Sequence, residues 1–542
     1  MPVDVAFPQL EENEIELLEE TATKQTCRDG EVVVRAGQAD VDFIIVKSGQ
    51  LDILNPTDDN RLIVSHGPGE FFGDIDILTR RPVIVTAVAR GTTEILRIAG
   101  KRLHDVLNKI PKMGEKLITA FQARREQLQS SGVLGLRIVG PKSCCDTTVV
   151  REFLHKNFVP FTWFDSEQPR GRAVFESMGS PRKTPAIECA DGRVLLNPSL
   201  LELAKCAGIW RDCPKEEQDL VVVGAGPAGI AAAVYAASEG LRTLVLDRMG
   251  PGGQVGGSSL VENFIGFPAG LSGTELATRG VLQMLKFGAK MFAPISVESI
   301  EPAADGSGHT LHLSCGTAVR SQVVLVATGM RWRKLEVPGA EAFERAGVYY
   351  ACTSVEAFLH QGQDVAVVGA GNSAGQAAMF LAENCAKKVH MIIRRPELGP
   401  GMSEYLAGRI RARHNIEIHT GSQISAVHGS REIERAGLVH SDGSSSSVDV
   451  NAIFVFIGSE PRVDWLPDTI ARDSLGYLLT GPDAMHSDRW PLKDREPTPL
   501  ETTLPRVLAG GDVRAGSTKR VGFAVGDGSL AVTCVHRIRA GK

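Results

Sequence analysis

No two cysteines in this chain are spaced Cys-x-x-Cys, although ten are scattered over 542 residues. That leaves no local redox dithiol and no zinc-type ligand spacing anywhere in the sequence. No apolar run approaches the ~18–20 residues that a membrane helix needs. Basic residues are not in excess: 59 Lys and Arg stand against 64 Asp and Glu, for a formal net charge of −5. Neither nucleic acid nor a membrane is therefore an expected partner. The opening stretch, MPVDVAFPQLEENEIELLEE, is acidic and has no apolar signal core. The simplest expectation is a reducing cytoplasm, with most thiols buried as small hydrophobes. No low-complexity tract appears beyond a serine run at 444–447, which reads as a hairpin tip.

What is present points to several domains. A chain of 542 residues with 43% hydrophobic and 23% charged content is composed like a globular protein of three or four units. Glycine is plentiful, at 57 residues. Much of it follows apolar strands, where phosphate-binding turns would put it.

Residues 10–128 read as β-rich with helical ends. In EVVVRAGQADVDFIIVKSGQLDIL, short β-branched runs lie between Gly30, Gly37 and Gly49, the spacing of a small antiparallel barrel. HDVLNKIPKMGEKLITAFQARREQL then reads as helix. With FFGDIDILTRRPVIVTAVA (Phe71 to Ala89), the region resembles a cyclic-nucleotide-binding domain. In that family, a Phe-Gly-Glu and a following Arg hold the cyclic phosphate and ribose. Here Asp74 replaces the Glu and Val83 stands in the Arg position, while Arg80 and Arg81 are out of register. An anion without its cation forfeits a charge-assisted bond of roughly 1.5–3 kcal/mol. The expectation is a docking or structural barrel, with no cyclic nucleotide as partner.

Residues 134–212 read as strand LGLRIVG, helix DTTVVREFLHKNF, strand VPFTWFD, hairpin KTPAIECADGRVLLN and helix LLELAKCAG. This β-α-β-β-β-α order resembles a degenerate glutaredoxin or thioredoxin fold, and Thr184-Pro185 fits its cis-proline turn. The resemblance puts Cys144 at the active cysteine and Thr147 where a second would be, so any redox site there is monothiol. Asp146 beside it would raise a thiol pKa. A vicinal Cys144–Cys145 disulfide would be strained.

From residue 218 the pattern sharpens. DLVVVGAGPAGIAAAVYAASEGLRTLVLD is strand, Gly-x-Gly-x-x-Gly, helix, strand, acid. Gly224 permits the tight turn, Gly226 lets a pyrophosphate approach and Gly229 lets the helix pack on the sheet. Asp247 ends the second strand, where an acid binds ribose hydroxyls. DVAVVGAGNSAGQAAMFLAENCAKKVHMIIRR repeats the pattern, with Gly369, Gly371 and Ala374 in the same roles. Its strand ends in Arg394 and Arg395 instead of an acid. Guanidinium groups suit a 2′-phosphate that a carboxylate would repel. The first loop therefore suits FAD and the second NADPH; the alternative for the arginine pair is a solvated strand end.

Two such domains, one interrupting the other, resemble the pyridine-nucleotide–flavin reductases. PGGQVGGSSLVENFIGFP, GVYY and AVGDG resemble the low-molecular-weight thioredoxin reductases in particular, over about Asp219 to Ala540. The resemblance makes Gly252, Gly253, Gln254 and Asn263 flavin contacts. In VLAGGDVRAG it places Gly511 and Asp512 by the ribityl chain, and it aims the helix from Val521 at the flavin's N1–C2=O edge. It also implies a homodimer through the FAD domain. The departure is Ala351-Cys352-Thr353-Ser354, which stands where that family has Cys-Ala-Thr-Cys. Cys352 takes the Ala position and inherits neither thiol's role. The family's third NADP arginine is also missing from PELGPGMSEYL.

The expected fold is multidomain: a cyclic-nucleotide-binding-like β-barrel (1–130) and a thioredoxin-like α/β unit (134–212), then two three-layer α/β dinucleotide-binding domains. These are an FAD domain (218–335 and 460–542) and an NAD(P)H domain (340–459). Three functions stay open. The first is an NADPH-dependent FAD oxidoreductase whose acceptor, a small redox protein or small molecule, is reached without the usual dithiol or through a relocated thiol at Cys144. The others are a thiol-free reductase resembling ferredoxin–NADP reductases and a nucleotide-sensing scaffold without turnover. No metal is expected.

Overall fold

The β-branched runs between residues 23 and 98 pair as the spacing of their glycines requires. A computed structural model describes residues 5–56, 59–131, 135–142, 144–179, 183–258, 260–261, 263–352, 354–399 and 401–541. Two long strands, Phe43–Asn55 and Thr86–Ile98, pair antiparallel and carry four shorter strands as a barrel. Phe43, Phe71 and Phe121 meet where the barrel packs on the helices that follow it, with ring centroids 5.3–6.3 Å apart. The single helix expected after the barrel is two, Leu103–Lys109 and Pro111–Ser131. Ile110 between them has a non-helical ψ of 85°, as the residue before a proline prefers.

In the second unit the expected order lacks one element. PRGRAVFES folds as helix Pro169–Ser177, with Pro at its start. The order is thus β-α-β-α-β-β-α, with strand Leu136–Gly140 central, Phe161–Asp165 parallel beside it and the hairpin strand Ala186–Glu188 antiparallel on its other side. The Thr184–Pro185 peptide is cis.

Gln218–Val223 lies at the middle of a seven-stranded sheet. Its side chains alternate between two layers. Leu220 and Val222 face the cluster that includes residues of helices Pro227–Ser238, Gly273–Lys286 and Val521–Arg539. Val221 and Val223 face the cluster beneath strands Val297–Pro302 and His309–Leu313. Burial on both faces explains the unbroken apolar run. The second copy repeats this design: Val365 and Val367 pack toward helix Asn372–Asn384, and Ala366 and Val368 toward the opposite layer. Its five parallel strands run in the order Val348–Tyr349, Ala452–Val455, Asp364–Val368, Lys388–Ile392, Ile416–His419. Two short antiparallel strands, Met330–Trp332 and Ser459–Pro461, join the two domains.

The barrel is not a free appendage. Its helical end shares one continuous apolar cluster with the first dinucleotide domain, through Leu103, Leu107, Val281 and Met284 among others. Asn108 donates to the Lys286 carbonyl at 3.1 Å. Two smaller expectations are corrected. Ser445–Val448 is a strand, and the hairpin tip falls at Asp442-Gly443, where Gly443 takes a φ of 84°. Of the cysteines, only Cys27 and Cys534 are free and buried, six are half-exposed and Cys189 is bonded to Cys206. No helix among the described residues is long and apolar enough to cross a membrane.

Candidate functional site

Both glycine loops open on one cleft of about 2630 Å³. At the first, Gly224 has a φ of 110°, and a Cβ there would lie 2.4 Å from the Ala327 carbonyl. A Cβ on Gly229 would lie 1.9 Å from the Gly224 carbonyl oxygen, so only glycine allows helix Pro227–Ser238 to sit this close. At Gly226 the nearest atom to an added Cβ is Gly253 Cα, 3.8 Å away. That open face is the cradle a pyrophosphate needs at the N-terminus of a helix. Asp247 lines the cleft and is held at both oxygens: Oδ2 accepts from Ala225 N, and Oδ1 from Met249 N and Gly250 N, each at 2.8 Å.

Gly253 and Gln254 line the same cleft, and Gln254 Nε2 donates to the Met330 carbonyl at 2.7 Å. Gly252 lies just behind, with Ala277 Cβ 3.2 Å from where its own would be. Asn263 is exposed and does not line the cleft. Gly511, Asp512 and Val521 do line it. Burial pushes the Asp512 carboxyl up, Lys519 opposes this and Asp527 adds to it. Lys519 also donates to the Asp512 carbonyl and stands 4.0 Å from the Tyr477 ring centre.

The second loop repeats the geometry. Gly369 has a φ of 139°, and its Cβ would meet the Phe456 carbonyl at 2.4 Å. Among the described residues, Gly371 finds nothing nearer than the Gly401 carbonyl at 4.0 Å. Ala374, the variant third position, is buried against the sheet. Arg394 and Arg395 are exposed at the cleft's edge. Arg411, paired with Glu404 at 2.8 Å, donates to the Leu398 carbonyl at 2.7 Å in the segment that lacks the third arginine.

Ala351 and Cys352 line the cleft, Thr353 lies outside the described residues, and Ser354 opens the helix Ser354–Leu359. The Cys352 thiol packs on the apolar cluster of the second domain. Burial pushes its pKa up, and Cys385 and Glu356 add to the rise. A thiol so placed is a poor source of thiolate.

Cys144 is the N-cap of helix Cys145–Lys156. Thr147, in the place of a second cysteine, is fully buried, and its Oγ1 lies 2.3 Å from where a Cβ on Gly140 would be. Burial raises the Cys145 pKa; Arg345 opposes the rise and Asp146 adds to it. Thr148, Arg151, Glu152 and His155 of this helix line the cleft, but neither Cys144 nor the Cys189–Cys206 pair does.

In the barrel, Asp74 caps helix Ile75–Thr79 and is bonded by Arg125 at 2.5 Å. Val83 is buried in the barrel core. Arg81 donates to the Asn157 carbonyl at 2.5 Å, and Arg211 to the Arg80 carbonyl at 2.5 Å. The two out-of-register arginines thus serve the contact with the thioredoxin-like unit.

Sequence reasoning missed Arg125, Asn157 and the arginines Arg248 and Arg462, which line the cleft beside Asp247. Burial, with Arg248 nearby, lowers the Arg462 pKa to about 10. No local motif marks these residues; they are recruited from separate elements. Outside the cleft, His390, Glu417 and His419 converge. The two rings lie 3.1 Å apart at Nδ1 and Nε2 within hydrogen-bond reach, and Lys388 bonds the carboxylate, so the trio is satisfied from within.

Comparison with known proteins agrees with this geometry. The family described as cyclic nucleotide-binding domain matches residues 24–109. The chain is 34% identical over 321 residues to the F component of the alkyl hydroperoxide reductase of Pseudomonas putida, covering 58% of this chain and 57% of that protein. It therefore spans little more than half the length of that relative. It is 30% identical to a 34.2 kDa protein in the rubredoxin operon of Clostridium pasteurianum, covering 60% of this chain and all of the other. Two solved thioredoxin reductases resemble it in structure, each at 26% identity and covering 60% of this chain. That of Lactococcus lactis, in its FR conformation, is covered fully at a TM-score of 0.53, and that of T. acidophilum to 99% at 0.52. The family described as pyridine nucleotide-disulphide oxidoreductase matches residues 218–528. With both glycine loops built as that chemistry needs, the chain belongs to the pyridine nucleotide-disulphide oxidoreductase family.

Proposed function

We propose that the chain is an NADPH-dependent FAD oxidoreductase that passes electrons to its acceptor without the thioredoxin-reductase dithiol. The supporting observation is that two dinucleotide loops face one cleft, while Ala351 and Ser354 stand at the usual dithiol positions and the thiol between them, Cys352, is partly buried on the second domain's apolar cluster. Gly224, Gly226 and Gly229 shape the FAD pyrophosphate seat, Asp247 takes the adenosine ribose, and Gly511 and Asp512 face the ribityl chain. Gly369 and Gly371 seat NADPH, with Arg394 and Arg395 at its 2′-phosphate. The flavin, when bound, supplies the hydride acceptor and the electron store. The chain's own part is to orient the two nucleotides and to keep water from the space between them. A dimer through the first dinucleotide domain belongs to the same reading, as does a small redox protein or small molecule as acceptor.

A second reading relocates the thiol to Cys144. It is favoured by one observation: Cys144 caps a helix whose next turns line the cleft. Anaerobic mixing of FAD-loaded protein with NADPH tests the main reading. Bleaching of the oxidised-flavin absorption by NADPH supports flavin turnover; a thiol at Cys144 would lie downstream of that step, so Cys144→Ala should leave the bleaching unchanged under either reading. A flavin that stays oxidised would point to a scaffold without turnover.

A further inference from the structure

Asn157 sits in the turn after helix Cys145–Lys156 and is 1% exposed. Its Nδ2 donates to two carbonyls, Phe153 of its own helix and Met249 of the first dinucleotide domain, each at 2.8 Å. Met249 and Gly250 are the residues whose N–H groups bond Asp247 Oδ1. The same short turn is therefore fixed from one side by the ribose acid and from the other by a side chain of the thioredoxin-like unit. Gly250 is shaped for this approach. Its φ is 145°, and a Cβ there would lie 2.7 Å from Asn157 Nδ2 and 3.1 Å from Lys156 Cβ.

The turn that carries Asn157 is held in its own right. Arg81 donates to the Asn157 carbonyl at 2.5 Å, and Arg125 to the Phe158 carbonyl at 3.1 Å. Phe158 takes a left-handed φ of 58°, which such bonds must maintain. Arg125 also bonds Asp74 and Asp76, at the start of the short barrel helix Ile75–Thr79. Hydrogen bonds thus run unbroken from the barrel through Asn157 to Asp247.

We infer that Asn157 is a positioning residue for dinucleotide binding: with Gly250 it fixes the Met249–Gly250 turn so that Asp247 presents its carboxylate to an adenosine ribose. The barrel, through Arg81 and Arg125, sets how firmly it does so. The inference rests on the reading that the first loop takes FAD. The thioredoxin-like unit is then part of the cofactor site, which accounts for its retention without a dithiol.

The test is FAD titration of the flavin-stripped full chain, with NADP+ binding at the second loop measured alongside. Asn157→Ala removes two buried hydrogen bonds and should raise the FAD dissociation constant about tenfold. NADP+ affinity should not change; a merely structural role would weaken both nucleotides or neither. Gly250→Ala should act in the same direction. The double variant should lose less than the sum, because Asn157→Ala removes the atom that the new methyl would strike. Arg81→Ala, which leaves the nucleotide domain untouched, should give a smaller loss and serves should Asn157→Ala not fold. FAD binding by Asn157→Ala within about twofold of the natural chain, additive losses in the cycle, or an equal loss of NADP+ would each overturn the inference alone. A natural chain that binds no FAD would overturn the reading of the first loop, and the inference with it.

Discussion

The Arg125 guanidinium lies 2.5 Å from the Asp74 carboxylate and 2.7 Å from that of Asp76. A cation from the helix behind the barrel thus occupies the acid that stands in the cyclic-nucleotide family's ligand position. Burial pushes the Asp74 carboxyl up, Arg125 pulls it back and Asp76 adds to the rise. Asp74→Ala should leave Arg125 under-compensated in a buried site and cost about 3 kcal/mol of stability, measured by chemical denaturation. Cyclic AMP should not raise the unfolding midpoint of the natural chain. A shift of several degrees would show that the barrel still takes the nucleotide.

Arg394 and Arg395 follow the strand Lys388–Ile392 at the edge of the cleft. Replacing both with Ala should raise the KM for NADPH by tenfold or more (about 1.4 kcal/mol) and leave that for NADH nearly unchanged. Steady-state kinetics with both nucleotides and a dye acceptor read this out. An equal effect on both would return the pair to a solvated strand end.

Cys352 packs on the second domain's apolar cluster with its thiol pKa raised by burial. Cys352→Ala should therefore leave the rate of flavin reduction by NADPH nearly unchanged in anaerobic stopped flow. A collapse of that half-reaction would restore a role for the thiol.

His309 is 4% exposed, with Nε2 bonded to the Pro505 carbonyl at 2.9 Å and Nδ1 without a partner among the described residues. Burial lowers its pKa below 6.5. The unfolded chain then binds this proton more readily than the folded one. The contribution to stability is complete above the unfolded value and is lost as pH falls through it toward the folded value. His66, also buried and lowered by burial, adds in the same sense. The unfolding midpoint should decline as pH falls from 7 toward 5, and His309→Gln should flatten the slope; an unchanged slope would remove His309 from the account.

The parts of the fold written in local pattern are legible in the sequence. Glycine spacing and an unbroken apolar strand specify both dinucleotide loops, with a terminal acid in the first, because the turn, the pyrophosphate seat and the helix contact each need a particular residue. Helix Pro169–Ser177 carries a signal too, in its proline start, although the expected element order omits it. The split at Pro111 is written in the proline itself. What cannot be read is long-range: Arg125 reaching Asp74, Asn157 reaching Met249, and the Cys189–Cys206 bond. Each joins residues that have no spacing rule between them and meet only once the units have packed. Asn263 shows the opposite limit, since a motif match places it at the flavin while the chain leaves it exposed outside the cleft.

A flavin that works without a redox-linked dithiol stores two electrons and no more. An anaerobic dithionite titration of the FAD-loaded chain, counting electrons per flavin, should therefore end at two. The Cys189–Cys206 bond should stay oxidised, because it does not line the cleft. Four electrons per flavin would mean that a disulfide is in redox contact with the cofactor and that the flavin does not work alone.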